Sequence, residues 1–313
     1  LLAAAYLAGL AVLITENGVP EGRVELLLLT VAGLYIATLG TPAVGDGRSG
    51  GRLLRIVRDW LPFTAVLIGY DLSRHVATVV SLPLHETDVA AAERWLFGGI
   101  TPTVWLQDHF YDPSVVHWYD AAASVVYSSH FVVTPILAAA LWLRNRGLWL
   151  AYLRRVIVLS VAGLVTYVLF PEAPPWYAAR DGVIAPVARV SARGWRWLHV
   201  GDVDSALGSA QRGGANPVAA MPSLHEAFAV LAVLFLLTQL RSRWGVLLWL
   251  YPAAMAIALV YTGEHYVLDL LAGAVFAVVT HAVVLRWEQR RAGAERGEPA
   301  AGALSADEAL AVA

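Results

Sequence analysis

"NPVAAMPSLHEAFAVLAVLFLLTQL", Asn216 to Leu240, sets a polar stretch directly against a long apolar run and places a histidine at the junction. Ser223 and Glu226 have the S-x-x-E spacing of a helix start, with Pro222 just before it, so Ser223 is the expected N-cap. His225 then falls in the first turn of an apolar helix. The N–H groups of such a turn have no helical partner, and the helix dipole adds partial positive charge, which suits an anion such as phosphate. An idle histidine at a membrane interface would look the same in this stretch alone.

The rest of the chain fixes the setting. Of its 313 residues, 58% are hydrophobic and 15% charged, mean hydropathy is +0.60, and there is no cysteine. This is the profile of a polytopic membrane protein. Disulfides, cysteine-ligated zinc and a cysteine nucleophile are excluded. A formal net charge of -2 gives no ground for a nucleic-acid partner. All of the basic residues are arginine, and their distribution matters more than their sum.

Apolar runs long enough to cross a bilayer, about 20 helical residues, occur near 24–40, 60–82, 116–142, 149–170, 224–240, 244–262 and 266–286, with a shorter one at 1–14. The expected fold is therefore all-α, a membrane helix bundle of about eight spans with a six-helix catalytic core. Arginines crowd the connectors at 46–58, 143–155 and 241–243 and the tail from Arg286. Counting spans puts all four on one face, which the positive-inside tendency makes cytoplasmic. Residues 1–45 read as accessory spans, 46–286 as the catalytic membrane domain, and 287–313, rich in Ala, Gly and charge, as a disordered cytoplasmic tail. The opposite face receives 83–115 and the long segment 171–222, whose "RGWRWLHV" suits a short helix at headgroup level.

Two further stretches fall on that same face. In "YTGEHYVLDLLAG", Tyr261 to Gly273, His265 and Asp269 are four apart, so on a helix they share a side and the carboxylate can take the imidazole Nδ1–H. That bond fixes the tautomer and leaves Nε2 free to act as nucleophile or base. In "LFPEAPPWYAAR", Pro174 and Pro175 stop a span, and Trp176 and Tyr177 suit the interface. His225 opens one span and His265 the next but one, so both imidazoles face the same side of the membrane.

"MPSLH" resembles the P-S-x-H motif of the type 2 phosphatidic acid phosphatase superfamily, and "GEHYVLD" its H-x-x-x-D motif. "APPW" is similar to the first motif of the branch that contains fungal inositol phosphorylceramide synthases and many actinobacterial membrane proteins. The resemblance covers roughly residues 60 to 280. It implies that His265 attacks phosphorus to form a phosphohistidine, with Asp269 orienting it. It also implies that His225 protonates the leaving oxygen and later deprotonates the incoming hydroxyl. Amides around Ser223, Leu224 and His225 would hold phosphate oxygens. The residues themselves do not choose between the two histidines.

The chain departs from the phosphatase branch, which usually shows K-x6-R-P and S-R-x5-H. Six positions before His265 stands Leu259, and "PEAPPW" is followed by no basic residue until Arg180. A phosphomonoester, close to dianionic, needs several cations. The missing arginines favour a phosphodiester donor such as a phospholipid headgroup, transferred to a lipid or glycan hydroxyl or to water. Arg180 is the preferred clamp among Arg180, Arg189, Arg193, Arg196 and Arg212. Arg74, beside Asp71 and His75 inside an apolar run, is a second candidate, or merely the partner of Asp71. His130 in "VYSSHFVV", with Tyr127, Ser128 and Ser129 nearby, could line an acceptor pocket, or simply pack helices. Asp108, His109, Asp112 and His117 form an outer cluster, structural or acceptor-side.

The expected catalytic set is thus His225, His265 and Asp269, with Ser223, Leu224, Pro174, Pro175, Trp176, Tyr177, Arg180, Arg74, His130 and Tyr261 at the substrate. No cofactor and no metal are expected, and the partners are a lipid phosphate or phospholipid donor, the acceptor and the bilayer. The localisation that follows is a bacterial plasma membrane, with the site on the extracytoplasmic side and the C-terminus cytoplasmic. Rival readings are a lipid or solute transporter, which should show broken, repeated helices, a serine hydrolase using Ser223, and a metal hydrolase, which lacks a convincing third ligand. Activity retained in EDTA is the expected outcome; its loss, restored by a divalent metal, would favour the metal hydrolase.

Overall fold

The structure, a computed structural model, describes residues 4–6, 8–9, 23–39, 53–62, 64–66, 69, 80, 82–199, 218–240 and 243–296. Among them are helices α1 (Arg23–Thr38), α2 (53–62), α3 (Thr87–Leu96), α4 (Pro102–Phe110), α5 (Trp118–Arg144), α6 (Arg146–Leu169), α7 (Pro175–Arg180), α8 (Leu224–Gln239), α9 (Leu250–Tyr261) and α10 (Val267–Glu295). No named strand occurs among the described residues, so the all-α expectation holds. Among the described residues, four helical stretches are long and apolar enough to cross a membrane: α5, α6, Arg243–Tyr261 and α10. The apolar α8 is shorter, at 16 residues. The expected runs at 1–14 and 60–82 lie largely outside the described residues.

Local chemistry explains the helix ends. Asn145 alone separates α5 from α6, and its side chain accepts the Leu148 N–H at 3.1 Å, so the two spans form a tight antiparallel hairpin. The third span begins as a 3-10 turn, Arg243–Trp249, that runs into α9. α10 continues to Glu295, beyond the end expected at 286, and Glu288 in that extension binds Arg154 and Arg155 of α6. The region 83–115, expected as a connector, carries α3 and α4. α4 starts with Pro102 at its first turn, where a missing N–H costs nothing. "RGWRWLHV" forms a 3-10 turn, Arg193–Arg196, pressed onto the start of α5.

The main core joins α6, α8 and α10 through Trp149, Tyr152, Leu159, Leu231, Phe235 and Ala277. α8 and α10 approach most closely at their starts. A Cβ on Gly273 would meet the Ser223 carbonyl oxygen at 2.4 Å, so only glycine lets the two backbones come this near. In the same contact the Ser223 N–H donates to the Asp269 carbonyl at 3.0 Å. Glycine is required a second time at Gly263, whose φ of 77° turns the chain from α9 into the segment before α10. Gly273→Ala should therefore lower stability by about 1–3 kcal/mol, the usual cost of overpacking. Thermal unfolding in detergent reads this, and an unchanged midpoint would contradict the close approach.

Candidate functional site

The two motif histidines meet. His225 lies in the first turn of α8 and His265 in the turn before α10, and their ring centroids are 5.7 Å apart at 60°. His265 Nδ1 is 3.3 Å from Asp269 Oδ2, the outcome the spacing suggested. The geometry behind it differs. His265 precedes the helix, whose N-cap is Tyr266, and Asp269 is the third helical residue, so the pair is joined across a helix cap and not along a helix face. Asp269 Oδ2 also accepts the Tyr266 N–H at 2.8 Å. One fully buried carboxylate thus starts the helix and orients the imidazole.

Ser223 caps α8, its Oγ accepting the Glu226 N–H at 3.3 Å. The reciprocal half of the expected box is missing, because the Ser223 N–H is already given to the Asp269 carbonyl. The first-turn N–H groups of Leu224 and His225 have no intramolecular partner among the described residues and remain available to an anion. The Leu224 side chain turns away into the core against Gly163. His130 of α5 lies against His225 with centroids 4.1 Å apart and the rings tilted at 34°, so three imidazoles follow one another at the site. His130 Nδ1 and His225 Nε2 are both buried without a hydrogen-bond partner.

The "FPEAPPW" stretch is tied to the same place. Pro174 is the N-cap of α7 and Pro175 its first residue. The Trp176 N–H donates to the Gly263 carbonyl at 3.1 Å, linking α7 to the turn that carries His265. Upstream, Glu172 pairs by single parallel bridges with His85 on one side and Ala219 on the other.

The arginines are arranged differently from the sequence reading. Arg180, the preferred clamp, is exposed, ion-paired with Asp181 at 2.7 Å, and stacked over Tyr177 at 3.8 Å. Arg189 is the cation beside the histidines: it lies 4.7 Å over the Trp176 ring, within electrostatic reach of His225, and bonds Glu264 through two nitrogens at 2.8 and 2.9 Å. Only its position in the folded loop distinguishes it from its neighbours, and the chain offers no local signal for that. Arg193 reaches the carbonyls of Asp112 and Val115 and lies 3.8 Å from Asp120. Tyr261 is committed elsewhere, donating to Asp120 Oδ1 at 2.6 Å. Of the outer cluster, His109 bonds the Trp105 carbonyl, Asp112 closes a turn on Ser114, and His117 caps α5. Arg74 lies outside the described residues.

Two acids missed in the sequence stand behind His265. Glu93 of α3 accepts the N–H groups of Val267 and Leu268, both at 3.2 Å, and so caps α10 from another element. Glu172 is fully buried, with neither carboxyl oxygen paired to a donor. Burial, followed by the neighbouring Asp269 charge, pushes its pKa well above the ordinary range. The sequence signal for Glu172 was a carboxylate set between Pro171 and the Pro174–Pro175 pair.

With this geometry in view, comparison with known proteins identifies the family. The PAP2 superfamily pattern matches residues 87–283. The chain belongs to the PAP2 superfamily. Phosphoinositol dihydroceramide synthase of Bacteroides thetaiotaomicron is 28% identical over 225 residues, covering 68% of this chain and 71% of that one. No solved structure matches. The chain is an integral membrane protein of an enzyme family that acts on lipid phosphates.

Glu93 supplies a pH test. Burial raises its pKa from 4.5 to about 7, against the lowering effect of the two backbone donors. Between these values the unfolded chain has lost this proton while the folded chain keeps it, so stability falls as pH rises through the window. The unfolding midpoint of the wild type should decline from about pH 5 to 7, and Glu93→Gln should flatten that decline. Parallel curves for the two proteins would refute the assignment.

Proposed function

We propose that this protein transfers a phosphoryl-linked headgroup, inositol phosphate or a similar one, from a phospholipid donor to a hydroxyl acceptor through a phosphohistidine on His265. The observation that carries the reading is the pair of imidazoles 5.7 Å apart, one of them held by a buried aspartate. Phosphorus about 3–3.5 Å from one nitrogen, with its leaving oxygen about 2.6–3.2 Å from the other, needs two imidazoles brought side by side from different elements.

His265 Nε2 attacks phosphorus, since Nδ1 is turned to Asp269. As the P–N bond forms, the P–O bond to the donor's glycerol oxygen breaks, and that oxygen takes a proton from His225. Neutral His225 then removes the proton of the acceptor hydroxyl. The acceptor oxygen attacks phosphorus, the P–N bond breaks, and both imidazoles return to their starting states. The Leu224 and His225 amides, at the positive end of the α8 dipole, stabilise the charge on the non-bridging oxygens. Pro174, Pro175, Trp176 and Tyr177 form the wall on the α7 side. The active centre faces the extracytoplasmic leaflet in this reading, with 46–286 as the catalytic domain.

The charge balance favours a diester donor. Arg180, Arg189 and Arg193 each face a carboxylate, so these three arginines bring no excess positive charge to a dianionic monoester. The relative's name points the same way, because a phosphoinositol group on a lipid is a phosphodiester. Lipid phosphate hydrolysis by the same two histidines is the competing reading within the family.

The test offers purified protein phosphatidylinositol and phosphatidate in a bacterial lipid extract and follows products by mass. Headgroup transfer from the diester is expected, and phosphate release from phosphatidate alone would overturn the proposal. His225→Ala should slow turnover by about 10²–10⁴. His265→Ala should abolish both turnover and the acid-labile phosphate label on the protein. A label persisting in His265→Ala would place the nucleophile elsewhere.

A further inference from the structure

At the far end of α6 from the candidate site lies a cavity of about 320 Å³ lined by Leu54, Arg55, Arg58, Asp59 and Arg146. Three guanidinium groups share it with one carboxylate. Arg146 binds both oxygens of Asp59, one at 2.8 Å, and Trp142 Nε1 donates to the same carboxylate at 2.9 Å. Asp59 thereby accepts three hydrogen bonds. Arg58 lies within electrostatic reach of Asp59, but neither it nor Arg55 forms a close ion pair among the described residues, so the lining carries a net excess of positive charge.

α2 presents three distinct faces here. Ile56, Asp59 and Trp60 are buried against the bundle, Arg55 and Arg58 line the cavity, and Leu54, Val57 and Leu61 stand 68, 46 and 61% exposed. A basic cavity bordered by an uncovered aliphatic stripe matches a ligand with an anionic head and apolar chains. α6 has 24 residues, roughly 36 Å of helix, and separates this cavity from the "FPEAPPW" strap at its other end. That exceeds the hydrocarbon thickness of about 30 Å, so the two places belong to opposite leaflets.

We propose that this cavity binds the phosphodiester headgroup of an anionic phospholipid from the leaflet opposite the candidate active site, with Arg55 and Arg58 on the phosphate and the lipid chains along Leu54, Val57 and Leu61. Arg146 keeps its place by pairing with Asp59 and adds a third donor surface. The ligand class follows from the neighbouring stripe: a free phosphate would use the arginines and leave the apolar residues uncovered.

Native mass spectrometry of the full chain, released from micelles with equal phosphatidylglycerol and phosphatidylcholine, tests this. The wild type should retain phosphatidylglycerol preferentially. Arg55→Gln with Arg58→Gln should weaken that retention roughly 30-fold, the sum of two interfacial arginines. The single Arg58→Gln change, at an exposed position, serves if the double variant misfolds, and Arg58→Lys should restore most of the binding. Retention equal to wild type in the folded variants would overturn the site. Competition by inorganic phosphate or glycerol phosphate at the concentrations effective for the lipid would overturn the lipid assignment.

Discussion

The hydrogen bond from the Ser223 N–H to the Asp269 carbonyl fixes the relation of two helix starts, and everything at the candidate site hangs on it. α8 and α10 are distant in sequence, and each carries one motif histidine. Gly273 removes the Cβ that would hold them apart. The Asp269 backbone thereby holds α8, while its side chain holds both Tyr266 and His265. A change at this one residue would disturb helix capping, helix packing and imidazole orientation together.

Helix ends do more here than terminate helices. α8 is capped by its own Ser223, which leaves the next two amides without an intramolecular partner among the described residues. α10 is capped by Glu93 from a different helix and by Asp269, so its first-turn amides are already used. Of two nearby positive helix ends, only one is open to an anion. Glu93, which helps close the other one, and the neighbouring Glu172 are buried near Asp269, and desolvation, followed by the Asp269 charge, raises the pKa of both.

The helical class and the meeting of the two motif histidines were legible in the sequence, because hydropathy and spacing are local properties that survive folding. Ser223 as a cap was legible for the same reason. The preference for Arg180 over Arg189 was not, since nearness to "APPW" along the chain says little about nearness in space once a loop folds back. Arg180 found Asp181 beside it, whereas Arg189 was drawn to Glu264 across the fold. Glu93 was invisible for a related reason: an ordinary acid on a short amphipathic helix gains its role only when α3 docks against the start of α10. The reciprocal arm of the Ser223 cap failed because a tertiary bond claimed the N–H first.

α6 is longer than the hydrocarbon layer is thick, and it continues through Phe170 into the strap that holds Glu172 and Trp176. A rod of that length fits the bilayer by leaning, and its lean changes with the thickness of the surrounding lipid. Because the strap is bonded to Gly263, next to the imidazole-bearing turn, a change of lean would reach the segment that carries one of the two rings. Lipid chain length would then act on this protein as a modulator in its own right, separate from headgroup chemistry.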